Sequence, residues 1–532
     1  MNVVPEPLPG GQTLARDYIQ SYETVDHLYG GDFRNIESRR HRMEWLDRTE
    51  SSRADRTKVA EILHAYNTKH NSHEAVAASI ALLGQPGTLV VTGGQQSGLF
   101  TGPLLVIYKA ITTIVAAKEA EAGLGRPVVP IFWIAGEDHD WDEVDHTYVL
   151  SRTAEISKIR MEDPNGPRSS VSDIEIDPEN WSQAVDKLDA MLQDSEFKPQ
   201  IMEFVRDASA KAVSMTDAFA NLMGSLFGKY GLILLDSADA GLRKLEQPFF
   251  RSLIMNTDDL EQAYLNSAED ITSSGYQLQA EVSKGAANLF YIHEGARLLL
   301  LKQNGVFTDR KGTVSFSRDQ LLEILETHPE RFSNNVLTRP LMQDYILPVL
   351  TTVLGQGEMS YWAITKRAFE TMGGSMPLLL PRMSFTIVEG TLHKHMDKYG
   401  LSVVDILGGG LRDKKQQWLT AQDELELDRR FEETKDAFIA LYEPLIEQLG
   451  TIQAGLLKLG SSNKDKILDQ ITFLQGKTRD AMEKQNEAAL RQWERIELSL
   501  MPLGKLQERV YNIMHYLNRY GLAWLEELMA LP

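Results

Sequence analysis

Over residues 1–85 apolar positions recur every three or four residues in a polar background, as in HRMEWLDRTE and RTKVAEILHAYNTKH. That spacing predicts amphipathic helices. The pattern changes at TLVV (88–91), a short β-branched run suited to a strand buried on both faces. The glycine-rich TGGQQSGLFTGP follows, then LLVIYKAITTIVAAKEA, which reads as a helix of about four turns. A second apolar run, PVVPIFWIA, ends at Ala135 and gives way at once to charge. Strand, glycine-rich loop, helix and strand together open a doubly wound α/β sheet.

Further along, residues 151–175 read as a polar hairpin turning at EDPNGP, and helical spacing resumes to about residue 228. YGLILLDSAD has the pattern of another parallel strand, ending at Asp236 and Asp239. LQAEV, NLFYIH and RLLLLKQ predict a small β insert, followed by a helix over SRDQLLEILETHPERF; MPLLLPRMSFTIVE returns to strand character. From about residue 415 the chain reads as helix. Phe431, Phe438, Leu445, Ile452 and Leu459 repeat every seven residues, Pro444 interrupts the run, and GSSNKD (460–465) has the composition of a turn before a second helix carrying Ile467, Ile471 and Leu474. The expected fold is α/β: a Rossmann-like parallel-sheet core with two inserted subdomains, plus a C-terminal α-helical coiled coil. The expected segments are 1–85 (helical), 86–150 (first half of the core), 151–228 (first insert), 229–265 (core strand and helix), 266–335 (second insert), 336–400 (second half of the core) and 401–532 (coiled-coil hairpin and last helix).

Composition narrows the functional classes. The formal net charge is −20, from 75 acidic and 55 basic residues, which opposes nonspecific binding to nucleic acid or anionic lipid. The absence of cysteine excludes a disulfide framework, a thiolate nucleophile and a cysteine-ligated metal. The longest apolar stretch, PLLVIYKAITTIVAA, contains Lys109 and is shorter than a membrane span, and MNVVPEPLPGGQ lacks the features of a signal peptide. A cytoplasmic protein with no membrane segment is expected.

Three stretches can carry chemistry. In TGGQQSGLFTGP, the glycines, including Gly98 and Gly102, permit close backbone approach ahead of a helix N-terminus, and Gln95 and Gln96 add uncharged donors and acceptors. An anion site and a plain tight turn fit this loop equally well. GEDHDWDEVDH crowds six carboxylates and two imidazoles at a strand end, where parallel sheets bind ligands. Asp138, His139 and Asp140 lie nearest that end. Asp138 and Asp140 are candidates for Mg2+, and His139 for a general base. Asp142 and Glu143 fit the first turn of a helix, and Asp145 with His146 a structural pair. In NVLTRPLMQDYILPVLTTVLGQGEMSYWAITK, Arg339 can clamp a carboxylate, with Gln343, Tyr361 and Trp362 beside it; an Arg339–Asp344 structural pair is the competing reading. LPRMSFT bears a faint likeness to a nucleotide-binding K-M-S-K-S loop.

TGGQQSGLFTGPLLVIYKA, PIFWIAGEDHDWDEVDH, SNNVLTRPLMQDYILPVL, GQGEMSYWA, MPLLLPRMS and GKLQERVYNIMHYL, in this order along nearly the whole chain, resemble the bacillithiol biosynthesis cysteine-adding enzymes, a family of cysteine ligases. Gly94 is an addition to the family's simpler T-G-Q-Q turn. The resemblance implies amide-bond formation between L-cysteine and the amino group of glucosaminyl-malate, a Rossmann-like core with two connecting inserts, and a homodimer formed through the coiled coil. Because a carboxylate acylates an amine only after activation, ATP and Mg2+ are expected. In that scheme the glycine loop holds phosphate or carboxylate, Asp138 and Asp140 hold the metal or the cysteine ammonium, His139 takes the amine proton and Arg339 holds the malate carboxylate. The alternatives are a Mg2+-dependent nucleotidyltransferase or phosphohydrolase acting on a small phosphorylated substrate, and a coiled-coil scaffold without a working site.

Overall fold

The computed structural model describes residues 2–5, 12–164, 166–422 and 426–531. The chain divides into two compact units: Pro5–Thr386 with Lys505–Pro532, and Met1–Val4 with Ile387–Gly504. The helical unit therefore begins near residue 387 rather than 401, and the last residues of the chain belong to the larger unit.

The larger unit is built on five parallel strands: β1 (Leu89–Gln95), β2 (Val128–Ile134), β3 (Ile233–Asp236), β4 (Val349–Leu354) and β5 (Leu378–Pro381), in the order β5-β4-β1-β2-β3. All seven residues of β2 and all six of β4 are buried. Helices cover both faces of such a sheet, so its strands read as unbroken apolar runs. The chain leaves β1 through α1 (Leu104–Leu124) toward β2, and leaves β4 through α4 (Gln356–Trp362) toward β5. The order therefore reverses between β1 and β4, and a crevice opens there at the carboxyl ends of the strands. Between β3 and β4 lie α2 (Ala240–Met255) and α3 (Arg339–Ile346).

Both expected inserts are present. The first, between β2 and β3, holds an antiparallel hairpin (His146–Leu150 with Ile156–Arg160) and three helices, Pro178–Met191, Lys198–Ala210 and Met215–Phe227. Its turn is residues 151–155, where Ser151 N donates to Glu155 O (2.8 Å); EDPNGP follows the second strand, and Asn165 lies outside the described residues. The second insert is a five-stranded antiparallel sheet over residues 286–334 with one helix, Arg318–Thr327. LQAEV forms no strand.

In the smaller unit, α5 (Leu427–Ile452) and α6 (Ala454–Gln485) form an antiparallel hairpin that turns at Gln453, and α5 continues through Pro444. GSSNKD is not the turn but lies inside α6, where Asn463 and Lys464 reach across to Tyr442 (2.7 Å) and Glu443 (2.6 Å). The earlier turn shifts the register. Ile446 packs against Gly460 and is buried, whereas Leu445, Ile452 and Leu459 of the predicted seam are 47%, 75% and 66% exposed. No helix among the described residues is long and apolar enough to cross a membrane.

Candidate active site

The crevice at the β1/β4 switch point is a cavity of about 550 Å3. Its floor is the end of β1, whose extra glycine has a steric reason. A Cβ on Gly94 would lie 2.4 Å from the Trp133 carbonyl oxygen of β2, so only glycine lets the two strand ends stay paired. Gln95 and Gln96 emerge from this floor into the cavity.

One wall comes from the segment after β2. Asp138, Asp140 and Glu143 place ligand oxygens within 4.8 Å of one another, and Gln96 Nε2 donates to Asp138 Oδ2 (2.7 Å) and Glu143 Oε2 (2.5 Å). Arg168 approaches Asp140 at 3.6 Å. The other acidic residues of this stretch are held by arginines. Glu137 is buried against Arg243, which also binds Glu246 (2.5 Å), and Asp145 is buried between Arg160 and His146 (2.7 Å). Asp142 pairs with Arg160 at 2.7 Å. The structure thus keeps Asp145 and His146 as the expected pair and Asp142 and Glu143 in the first turn of a short helix, Trp141–Val144, with Glu143 also joining the acidic cluster.

His139 lines the cavity beside this cluster. Its Nδ1 lies 3.0 Å from Arg297 Nη1. An arginine can only donate, so Nδ1 offers its lone pair and the ring proton sits on Nε2. Burial and the facing guanidinium push the His139 pKa below the usual histidine value. The imidazole therefore presents a donor to the cavity through Nε2, and the lone pair that a general base would use is already engaged.

The opposite wall carries Arg339, Gln343, Tyr361 and Glu358. Arg339, at the start of α3, donates to Gln343 Oε1 (3.0 Å) and Tyr361 Oη (3.1 Å), and its guanidinium lies over the Trp362 ring at 5.7 Å. It makes no ion pair among the described residues; Asp344, its expected alternative partner, is buried against Arg42 and Arg53. Gln343 is held in turn by Thr92 Oγ1 (2.7 Å). The buried Lys109 pairs at 2.6 Å with Glu358, which is 29% exposed and lines this wall. Burial lowers the lysine pKa; it would raise the glutamate's, but Lys109 more than reverses that.

Of the residues singled out from sequence, Asp138, His139, Asp140, Gln95, Gln96, Arg339, Gln343 and Tyr361 meet in this one cavity. Gly98, Gly102 and Trp362 do not line it. Gly102 has a positive φ of 69° in a buried loop, whose carbonyls accept from Asn512 Nδ2 (2.7 Å at Gly102). The N-terminus of α1 is closed as well, since Leu104 N donates to Tyr511 O (2.9 Å). The expected phosphate loop is therefore a packed joint. Arg382 of LPRMSFT is likewise consumed by the buried Glu508 (2.6 Å).

Sequence reasoning missed Arg297 and Asn334, which the second insert delivers. Arg297 is buried, stacks on Phe290 at 3.9 Å and donates to Ser333 Oγ (2.8 Å). Asn334 is 1% exposed, lines the cavity, and has no partner for either amide atom.

Residues 1–383 match the family model described as Bacillithiol biosynthesis BshC, N-terminal Rossmann-like domain, and residues 385–532 match its C-terminal coiled-coil domain. The chain belongs to the BshC family. Among its relatives, each named "Putative cysteine ligase BshC", the protein of Geobacillus kaustophilus (strain HTA426) is 37% identical over 533 residues, covering 100% of this chain and 98% of its own. The Bacillus anthracis protein is 37% identical over 467 residues, covering 88% of this chain and 87% of its own. The Rossmann-like core and the coiled coil of the BshC family are the two architectures found here.

Proposed function

We propose that this chain is a cysteine ligase of bacillithiol biosynthesis, joining the carboxyl of L-cysteine to the amino group of glucosaminyl-malate. The observation that carries the reading is a single cavity with two unlike walls. One presents Asp138 and Asp140, with Glu143 clustered beside them; the other presents Arg339, which makes no ion pair among the described residues. A substrate pair that brings an ammonium and several carboxylates together suits such a site. The names of the relatives support the same activity.

The chemistry needs an activated acyl group. A cysteine carboxylate oxygen attacks a phosphorus of ATP, expelling pyrophosphate or ADP. The amine of glucosaminyl-malate then attacks the acyl carbon, the bond from that carbon to the phosphate oxygen breaks, and the amine proton passes to a carboxylate of the acidic wall. Arg339 fits the malate carboxylate, since a guanidinium held flat by Gln343, Tyr361 and the Trp362 ring keeps donors free for a planar anion. His139 Nε2–H donates to the oxygen that gains charge. The hard oxygens of Asp138, Asp140 and Glu143 fit one cation, either Mg2+, which would supply neutralisation of phosphate charge there, or the cysteine ammonium.

The chain acts in the cytoplasm in this reading. It pairs with a second copy through the α5–α6 hairpin, where Leu441, Ile452, Leu459 and Phe473 are 79%, 75%, 66% and 60% exposed. The deciding experiment incubates the purified protein with L-cysteine, glucosaminyl-malate, ATP and Mg2+ and follows products by mass spectrometry. The cysteinyl adduct, with AMP or ADP released, is expected. ATP turnover that ignores both cysteine and glucosaminyl-malate would sink the proposal.

A further inference from the structure

Two adjacent glutamines stand at the end of β1, and their neighbours fix each side-chain amide in the opposite sense. Lys109 Nζ donates to Gly94 O (2.8 Å), Gln95 Oε1 (2.8 Å) and Glu358 Oε2 (2.6 Å), which uses all three of its protons. An ammonium has no acceptor, so Gln95 must turn its oxygen to the lysine and its NH2 away. Gln96 is the reverse case. Asp138 Oδ2 and Glu143 Oε2 accept both of its amide protons, so its oxygen points elsewhere. Gln95 Nε2 and Gln96 Oε1 have no protein partner among the described residues, and both side chains line the cavity. The site thus offers a pure donor beside a pure acceptor that is backed by carboxylates. Asn334, buried with both amide atoms unpaired on the same cavity, independently marks it as a place where a polar ligand completes the hydrogen bonding.

We propose that Gln95 and Gln96 form the subsite for an α-amino-acid zwitterion: Gln95 Nε2 holds the carboxylate, while Gln96 Oε1, Asp138 and Glu143 hold the ammonium. Lys109 is its positioning residue, because without that cation Gln95 can present either end. Within the ligase reading, on which the identity of the amino acid rests, this is the seat of L-cysteine, and Arg339 marks that of the second substrate. The carboxylate is then gripped next to the region where it is activated, and the ammonium is kept from acting as a competing nucleophile.

The test is calorimetry on the full chain in EDTA with a reductant, using L-cysteine, L-serine, cysteamine and 3-mercaptopropionate. The two amino acids should bind, and cysteamine and 3-mercaptopropionate, each lacking one charge, should bind at least about tenfold more weakly. Gln95→Glu puts a negative charge against the carboxylate and should weaken L-cysteine by at least about tenfold, while the KM for glucosaminyl-malate stays within about twofold. Lys109→Met, checked by its thermal melt, should weaken L-cysteine in the same direction, and gives a second reading where Gln95→Glu fails to fold. Equal binding by the analogues, unchanged cysteine binding in both variants, or binding that requires Mg2+ overturns the subsite. Amino-acid binding that depends on Gln95, without any cysteinyl product, keeps the subsite and removes the ligase reading. Product formed by Gln95→Glu at an unchanged cysteine KM does the opposite.

Discussion

The carboxylates at the ends of β2 and β3 fall into two sets with opposite fates. Asp138 and Asp140 line the cavity and Glu143 stands exposed beside them, with Arg168 and Arg297 approaching Asp140 and Asp138 only to 3.6 and 3.9 Å. Glu137, which also lines the cavity, Asp236 and Glu246 are buried. Glu137 and Glu246 share Arg243, while among the described residues Asp236 accepts from Ser172 Oγ (2.8 Å) and the Ala238 N–H (3.0 Å) and has no ion pair. One short region thus holds acids kept available for a ligand and acids consumed in holding the strand ends together. The difference is burial, which makes an unpaired carboxylate costly only in the second set.

The sharpest way to break the distinction is to remove one cation. Arg243→Met strands two buried carboxylates and should cost about 3–5 kcal/mol in the denaturant midpoint. Asp140→Asn, at a side chain 47% exposed, should move the same midpoint by no more than about 0.5 kcal/mol. Similar losses from both variants would erase the two sets.

The buried set also carries a pH signature. Burial raises the Asp236 pKa from 3.8 to about 7, with the Asp239 charge adding to the rise and Arg243, Ser172 and the Ala238 N–H opposing it. The unfolded chain releases this proton near pH 4 and the folded chain only near pH 7, so stability falls as pH rises through that window. Asp236→Asn should match the wild type near pH 4 and exceed it by about 2–4 kcal/mol at pH 8. Chemical denaturation at the two pH values decides this. A constant difference between the proteins would mean that Asp236 stays ionised throughout.

How far these sets can be read from sequence depends on where their partners come from. The β strands were legible because burial on both faces leaves unbroken apolar runs, and the crevice follows from strand order. Asp138, His139 and Asp140 adjoin such a run, so their place at its end was legible too. Arg297 was not, because it reaches His139 from 158 residues away on a different sheet; an arginine opening the strand RLLLLKQ gives no sign of what it touches. The glycine loop misled for a related reason. A loop that feeds a helix looks the same whether its backbone groups are free or, as here, occupied, the Leu104 N–H by Tyr511 O and the Gly102 carbonyl by Asn512 Nδ2 from the far end of the chain. In the hairpin, composition suggested a turn at GSSNKD, but cross-helix bonds from Asn463 and Lys464 favour continuing the helix.

Across the cavity from the acids, Arg339 is the cation left available, in contrast with Arg243. Arg339→Met should raise the KM for glucosaminyl-malate by about 10–100-fold with little change in stability, because no buried partner loses its counter-charge. Steady-state kinetics with each substrate varied in turn would measure it. A loss confined to cysteine would place the two substrates the other way round.

The smallest effect is expected at the residue nearest the chemistry. A histidine acting as general base loses about 10²–10⁴-fold in turnover when replaced by glutamine, which cannot take up a proton. With Arg297 donating to Nδ1, His139 instead contributes an N–H, and a glutamine amide can supply one from a similar distance. His139→Gln should therefore keep kcat at saturating substrates within about tenfold of the wild type. A larger loss that His139→Asn shares would leave the donor reading without support and return the proton-accepting role to the imidazole. Retained turnover would leave that role to the carboxylates of Asp138 and Asp140, which line the cavity.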